Sequence, residues 1–391
     1  MPQEYTDPIW ITNNTTLDQY CQHWLTCERI ALDTEFIRTD TYYPVPALIQ
    51  LNTAKAIFFI DPLNITQWQP FQAVLEHPNC LKILHACSED LEVFQRLAGT
   101  TPQPLFDTQL AAAYANIGYS ISYKKLVNIL LGLDLDQNET RSNWRQRPLT
   151  VAQVRYAALD VVYLIEIHTQ LERLMNEKAV NPSLWLKDDC RRMNSAIFNQ
   201  DANTAWKQVK CVWQLRPQQL SVLKALCCYQ HKQAQLRDIP KGRVIPKGSL
   251  WALARYQPDN LASLSHLAGI HPSFVKKEGN ALLKIIRAAQ NLPEAEWPPR
   301  QPGPLPKKIQ PYGKAIKRFL AEQAHALALP KEIFLPSKIS TAILRSGIND
   351  GQFSLPDNLQ GWRRDVIGQP LIAWLNERLS HKGFNNKCHL N

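Results

Sequence analysis

Several features that would settle this protein's class at once are missing from its sequence. There is no uninterrupted run of 18 apolar residues, and the start, MPQEYTDPIWITNN, has neither a basic leader nor an apolar stretch behind one. Neither a membrane span nor an export signal is expected, and a cytoplasmic location is. The nine cysteines (Cys21, Cys27, Cys80, Cys87, Cys190, Cys211, Cys227, Cys228 and Cys388) are scattered, odd in number and free of any C-x-x-C pair. That fits reduced thiols and argues against a zinc site. The patterns G-x-x-x-x-G-K-[ST], H-E-x-x-H and G-x-S-x-G are also absent. A phosphate-loop motor, a zinc protease and the usual serine hydrolase drop out, and no nucleotide cofactor is expected.

What is present is unevenly distributed. With 391 residues, 45% apolar and 9% aromatic, the chain can form two or three folded domains. Residues 1 to 180 carry 13 Lys+Arg against 20 Asp+Glu, and the remainder carries 31 against 14, so a charge of −7 is followed by one of +17. Such asymmetry points to a polyanion-binding region joined to something else, because clustered cations gain affinity by displacing counterions from phosphates. A well-solvated basic surface is the alternative.

The first part reads as α/β. Apolar runs at RIALDTEF, ALIQLNT, AIFFIDP and LKILHA have strand length and are bounded by turn residues or helical patterns. Helical periodicity dominates afterwards. Residues 179–210 read as a connector broken at Asn181-Pro182, and 292–311 hold seven prolines, which predicts an extended spacer. Two helical modules are left, 211–291 and 312–385, with no exact repeat between them.

Acidic residues stand in unexpectedly apolar surroundings. Asp33 and Glu35 continue the run Ile30-Ala31-Leu32, and residues i and i+2 of a strand share a face, so both carboxylates point the same way; a strand end running into solvent is the other possibility. Asp90 is separated from its neighbours by helical phase. With Asp90 at zero, Phe94 falls at about 40° and Leu97 at about 340°, whereas Glu89 and Glu92 fall at about 260° and about 200°, on the polar side. Ser88 is expected to cap that helix, and Asp90 could equally be a first-turn residue favoured by the dipole. Thr150-Val151-Ala152-Gln153 is a capping-box pattern opening a helix in which Asp160 interrupts an apolar stretch and Tyr156 lies four residues before it. A simple Tyr156-Asp160 hydrogen bond is the structural alternative there. Four carboxylates with oxygen donors only suit hard divalent cations such as Mg²⁺ or Mn²⁺, and two such ions ~3.5–4 Å apart can stabilise the attacking and leaving oxygens of a phosphodiester displacement. His85 is expected to be a satisfied histidine at a strand end, and Asp107 a helix cap.

The segments DTEFIRTDTYYPVPALIQL, HACSED, FDTQLAAAY and NWRQRPLT leading into VRYAALDVVYL resemble the DEDD exonucleases, and within them the ribonuclease D family. The resemblance implies an RNase H-like α/β exonuclease domain with a mixed central sheet at 1–178, followed by two all-α modules of HRDC type at 211–291 and, more divergent, 312–385. It implies that Asp33, Glu35, Asp90 and Asp160 bind two metal ions, that Tyr156 orients the attacking water, and that Glu35 also contacts the terminal 3′-hydroxyl. It further implies a 3′-to-5′ exoribonuclease acting on structured RNA, transfer-RNA precursors by expectation, and releasing nucleoside 5′-monophosphates. A DNA-directed exonuclease of the same superfamily and a non-catalytic RNA-binding protein are the alternatives. Candidate phosphate contacts are Arg141, Arg145 and Arg147 around Trp144, in a segment too polar to be core. In the first helical module they are Lys241, Arg243, Lys247 and Arg255, together with Lys276, Lys277 and Lys284.

Overall fold

The structure is a computed structural model that describes residues 7–135, 142–180, 182–198, 203–267, 269–348 and 351–380. Contacts divide the chain into two compact units: residues 1–37, 46–197 and 305–391 form the first, and 38–45 with 198–304 form the second. None of the described helices is long and apolar enough to cross a membrane.

The first unit is built on a six-stranded sheet in the order β1-β4-β3-β2-β5-β6, with β1 Ile9–Ile11, β2 Arg29–Ile37, β3 Val45–Asn52, β4 Ile57–Ile60, β5 Leu81–Leu84 and β6 Leu105–Asp107. β1 runs parallel to β4, β4 antiparallel to β3, and β2, β5 and β6 form a parallel group, so the sheet is mixed as expected. The four longer strands coincide with the four apolar runs of the sequence. β1 and β6 have three residues each, too short to leave a periodic trace. Covering helices are α1 Asn14–Trp24, α2 Gln69–Glu76, α3 Ser88–Ala98, α4 Thr108–Tyr114, α5 Tyr123–Leu131, α6 Val151–Val162 and α7 Leu164–Asn176. Trp24, Phe59, Phe71, Phe94 and Tyr114 are all but fully buried between these layers. Lys82 is buried on β5, where its ammonium donates to the carbonyls of His77, Cys80 and Gln103.

Residues Ser183–Phe198, within the expected connector, form one 16-residue helix, α8. Its residues Leu186 and Cys190 are buried in the same apolar core as the sheet and as helices α14 Gln310–Leu327, α15 Ser337–Ser346 and α16 Gln369–Ser380. The Asp189 carboxylate of α8 accepts from both guanidinium nitrogens of Arg363, one at 2.8 Å, and from the Tyr114 hydroxyl at 2.6 Å. Trp185 stacks on Trp362 with ring centroids 4.5 Å apart.

The second unit holds α9 Pro217–Arg237, α10 Lys241–Val244, α11 Ser249–Tyr256, α12 Leu261–Ser265 and α13 Pro272–Gln290 around a separate core that includes Leu220, Leu223, Leu253, Leu282 and Ile286. Residues 38–45, which follow β2 in sequence, belong to it. Asp238, the α9 C-cap at φ 47°, accepts the backbone N–H groups of Tyr42 and Tyr43 at 3.0 Å each. An Asp tolerates this left-handed conformation better than most residues.

Removing one partner of a buried ion pair strands the other charge, which costs about 3–5 kcal/mol. With side chains only 15% and 10% exposed, Arg363 and Asp189 form such a pair. Asp189→Ala is expected to lower the chemical-denaturation midpoint accordingly and to weaken amide-exchange protection first in α14–α16; an unchanged midpoint would show the pair to be dispensable.

Candidate active site

Three elements meet where the parallel strands end. β2 pairs with β5 through Arg29–Ala31, so Asp33 and Glu35 lie beyond that paired stretch, on the side where β5 leads into α3. Crevices at the carboxyl ends of parallel strands are the usual place for a ligand in an open α/β sheet. Strand alternation keeps Asp33 and Glu35 half-buried on one face and buries Thr34 on the other.

α6 supplies the third carboxylate. Its capping box forms as read: Gln153 N–H donates to Thr150 Oγ1 at 3.1 Å and Thr150 N–H to Gln153 Oε1 at 2.9 Å. Where α6 gives way to α7, the Asn52 side-chain amide donates to the carbonyls of Val161 and Val162 at 3.0 and 3.1 Å, the former shared with the Tyr163 N–H, and so ties down the helix end. Asp160 lies within that last turn, two residues before the end. Among the described residues, Asp33, Glu35 and Asp160 bring one oxygen each to within 4.8 Å of one another.

Asp90 lies on the buried face of α3, as its phase indicated, while Glu89 is exposed. It stands beside the trio rather than in it, because the Thr34 hydroxyl donates to Asp90 Oδ1 and holds that carboxylate. Ser88 does not cap the helix. The cap position is Cys87, whose N–H donates to Asp107 Oδ2 at 2.9 Å, while Asp107 Oδ1 accepts from Gln109 and Leu110 at 2.8 and 3.0 Å. Asp107 therefore caps α4, as expected, and at the same time pins the start of α3 and with it Asp90. His85 is occupied by Thr108 Oγ1 at 2.9 Å and the Ile121 carbonyl at 3.1 Å, outside the acidic group.

The carboxyls raise one another's proton affinity. Burial pushes Asp33 well above the usual carboxyl range, and the charges of Asp90, Asp160 and Glu35 push it further. Glu35 is pushed up to about 9 by burial and then by Asp160 and Asp90. Asp160 rises to about 8 through burial and Asp90, partly offset by a hydrogen bond from Tyr156. Asp90 rises only to about 6, since the Thr34 hydroxyl and a backbone N–H offset its burial. Burial and the same carboxylates keep the Tyr156 phenol protonated. Its hydroxyl thus donates to Asp160, and its ring lies against Trp144 at 5.8 Å between centroids. A group of oxygen donors that repel one another in a half-buried crevice fits a hard divalent cation, which would displace the protons and remove the repulsion.

The basic candidates separate. Arg147 cannot serve a phosphate, because all five of its donors are taken: by Asp61 at 2.6 and 2.9 Å, Ala47 O at 2.6 Å, and Trp144 O and Gln146 O at 2.8 Å each. Trp144 itself is buried, contrary to the reading of its segment as too polar for core: Arg147 anchors the segment and the indole backs Tyr156. Arg145 is exposed, and Arg141 lies outside the described residues. In the second unit Lys247, Lys276, Lys277 and Lys284 are exposed, Arg255 is half-buried, Arg243 pairs with Asp40, and the Lys241 ammonium lies 5.6 Å from the Tyr42 ring centroid. Thr34, Asn52 and Trp144 support the site without a local pattern that marks them, except that Thr34 stands between two carboxylates in sequence.

Residues 8–176 match the family model described as 3′-5′ exonuclease, and residues 219–286 match the HRDC domain. The chain is 44% identical to ribonuclease D of Pseudomonas paraeruginosa over 93% of its own length and 96% of that protein, and 37% identical to ribonuclease D of Escherichia coli over 94% and 98%. It also superposes on the crystal structure of Escherichia coli RNase D with a TM-score of 0.85 and 34% identity, covering 95% of this chain and 99% of that one. With its acidic crevice, its mixed sheet and these relatives along nearly its whole length, the chain belongs to the ribonuclease D family of 3′-5′ exonucleases.

Proposed function

We propose that Asp33, Glu35, Asp90 and Asp160 hold two divalent cations, Mg²⁺ or Mn²⁺, and that this site removes nucleotides one at a time from the 3′ end of structured RNA, transfer-RNA precursors among them. The activity of the family, 3′-5′ exoribonucleolytic hydrolysis, is that of this chain. The observation that carries the site assignment is the convergence of Asp33, Glu35 and Asp160 within 4.8 Å, with Asp90 beside them. Structured RNA as the substrate follows the Escherichia coli relative, described as an exoribonuclease involved in structured RNA processing. None of the eight cysteines among the described residues forms a disulfide, which supports placing the protein in the reducing cytoplasm.

Bound divalent ions would lower the pKa of water and stabilise charge on the attacking and leaving oxygens. The chain's own groups do the rest. Asp33 and Asp160 supply oxygens from a strand and a helix that the sheet fixes in place, so little reorganisation is needed. Tyr156, held protonated and leaning on Trp144, offers its phenol oxygen as acceptor to the attacking water while its O–H remains donated to Asp160. Glu35, two residues along the strand from Asp33, would accept from the terminal 3′-hydroxyl, as the family resemblance implies, and so favour a chain end over an internal bond. The helical modules at 211–291 and, as a divergent HRDC-like copy, 312–385 assist in holding the RNA.

With 5′-labelled RNA and DNA and added Mg²⁺, Mn²⁺ or EDTA, the parent is expected to shorten RNA stepwise from the 3′ end in metal and to stop in EDTA, and Asp33→Asn to be inactive. Preference for DNA, or an inactive parent, would reject the assignment. Tyr156→Phe should lower kcat by about 10²-fold with KM little changed, the scale of a lost proton-positioning group. A larger rise in KM than fall in kcat would instead make Tyr156 a binding residue.

The raised carboxyl values have a signed consequence. In the metal-free protein these groups keep their protons when folded at a pH where the unfolded chain has released them. The stability this gives is complete below the unfolded values near 4, and is lost as pH rises through about 6 for Asp90, about 8 for Asp160 and about 9 for Glu35. Metal-free Asp33→Asn should therefore melt higher than the parent, by a margin that widens from about pH 5 to about pH 9. Metal binding to the parent should strengthen over the same interval with release of protons, measurable by calorimetry in buffers of different ionisation enthalpy. A pH-independent margin would mean the carboxyls do not repel one another.

A further inference from the structure

The second unit contains a cleft of about 1050 Å³ that none of the acidic chemistry uses. It lies among the 3₁₀ turns before α9, α9 itself and the turn joining α10 to α11. Its volume slightly exceeds the roughly 300–1,000 Å³ that small-molecule sites occupy. Val209, Leu250 and the half-buried Trp251 give it an apolar lining, and Lys210, Lys241 and Lys247 line it as well. Among the described residues, none that lines it is Asp or Glu.

These features specify a ligand with one flat apolar part and one anionic part. The Trp251 indole N–H donates to the Cys211 carbonyl at 3.0 Å and its ring meets that of Tyr256 at 6.3 Å between centroids, which fixes the half-buried ring where it lines the cleft. Base-on-aromatic stacking is how single strands are held without sequence preference. The anionic part would meet the three ammonium groups and the start of α11. That helix begins after Gly248, another lining residue, with no side chain capping its first N–H groups. Gln208 and Gln214, also in the lining, can pair with polar base edges.

We infer that this cleft binds one nucleotide of a single-stranded RNA segment, its base against Trp251 and its phosphate among Lys210, Lys241, Lys247 and the α11 N-terminus. The inference rests on the exoribonuclease reading above and gives the helical unit a discrete nucleotide site in addition to a diffuse basic surface.

Two glycines allow a test that does not depend on dismantling the core. A Cβ added at Gly242 or Gly248 meets no atom within 4 Å, and neither residue has a positive φ, so Leu at either position projects into open space without backbone strain. In the full-length Asp33→Asn chain, which does not degrade its ligand, binding of a fluorescein-labelled oligouridylate is read by anisotropy, and 5-iodouridine cross-links are mapped by mass spectrometry. The expected result is a cross-link at Trp251 that Gly248→Leu and Gly242→Leu abolish, with Kd raised about 5- to 150-fold, the range that loss of one stacked base gives. Lys247→Gln should lower the slope of log affinity against log salt by about 1. Variants that melt like the parent yet keep its Kd and cross-links would overturn the inference. So would variants that lose binding of free uridine monophosphate while oligouridylate binding is unchanged, because the occupant would then be a free nucleotide. Failure of the exoribonuclease reading shows up separately, in the RNA-shortening assay of the parent.

Discussion

Four carboxyl groups gathered in a half-buried crevice repel one another, and the surrounding fold has to withstand that repulsion before any ligand relieves it. The supports are local and identifiable. Thr34 and a backbone N–H steady Asp90, Tyr156 donates to Asp160, and Asp107 fixes the start of α3 by accepting from Cys87. Asn52 closes the end of α6 just beyond Asp160. Each support is a hydrogen bond from a fixed donor to a carboxylate or an open carbonyl, the kind of partner that makes a buried polar group tolerable.

This arrangement explains why some of the site could be read from the sequence and some could not. Asp33 and Glu35 follow from period-two alternation, and Asp90 from helical phase, because both are properties of a single element with one buried side. The capping box at Thr150 is likewise local and formed as read. Arg147 shows the opposite case. In the sequence it is one of three arginines around a tryptophan, but its guanidinium is committed to Asp61 and to the Ala47 carbonyl, partners about a hundred positions away that no local pattern announces. Trp144 was misjudged for the same reason: its polar neighbours in the sequence are not its neighbours in space. Ser88 is a capping residue type, but the start of α3 is held through Cys87 by Asp107, twenty residues beyond that cysteine.

The charge asymmetry also takes on a clearer meaning. Excess Lys and Arg in the second half are not one uniform surface. Arg363 is sunk into an ion pair with Asp189 and serves packing, Arg237 serves the buried Glu278, and Lys210, Lys241 and Lys247 line the α9–α11 cleft. Net charge indicates a polyanion partner, but only the partners of each cation reveal which of them remain available to it.

The two units interleave along the chain. The polypeptide crosses from one to the other after Ile37, back after Val45, out again after Ile197 and back after Pro304. In topological terms the helical unit is a guest inserted twice into its host. No single cut of the chain releases either one intact. A fragment ending near residue 200 would leave the sheet without α14–α16, and a fragment covering only 211–291 would lose the tyrosine pair that Asp238 holds. The order of segments along the chain is therefore not the order of the folded parts: the helical unit depends on an eight-residue segment that directly follows β2, and the sheet depends on helices from the other end of the polypeptide.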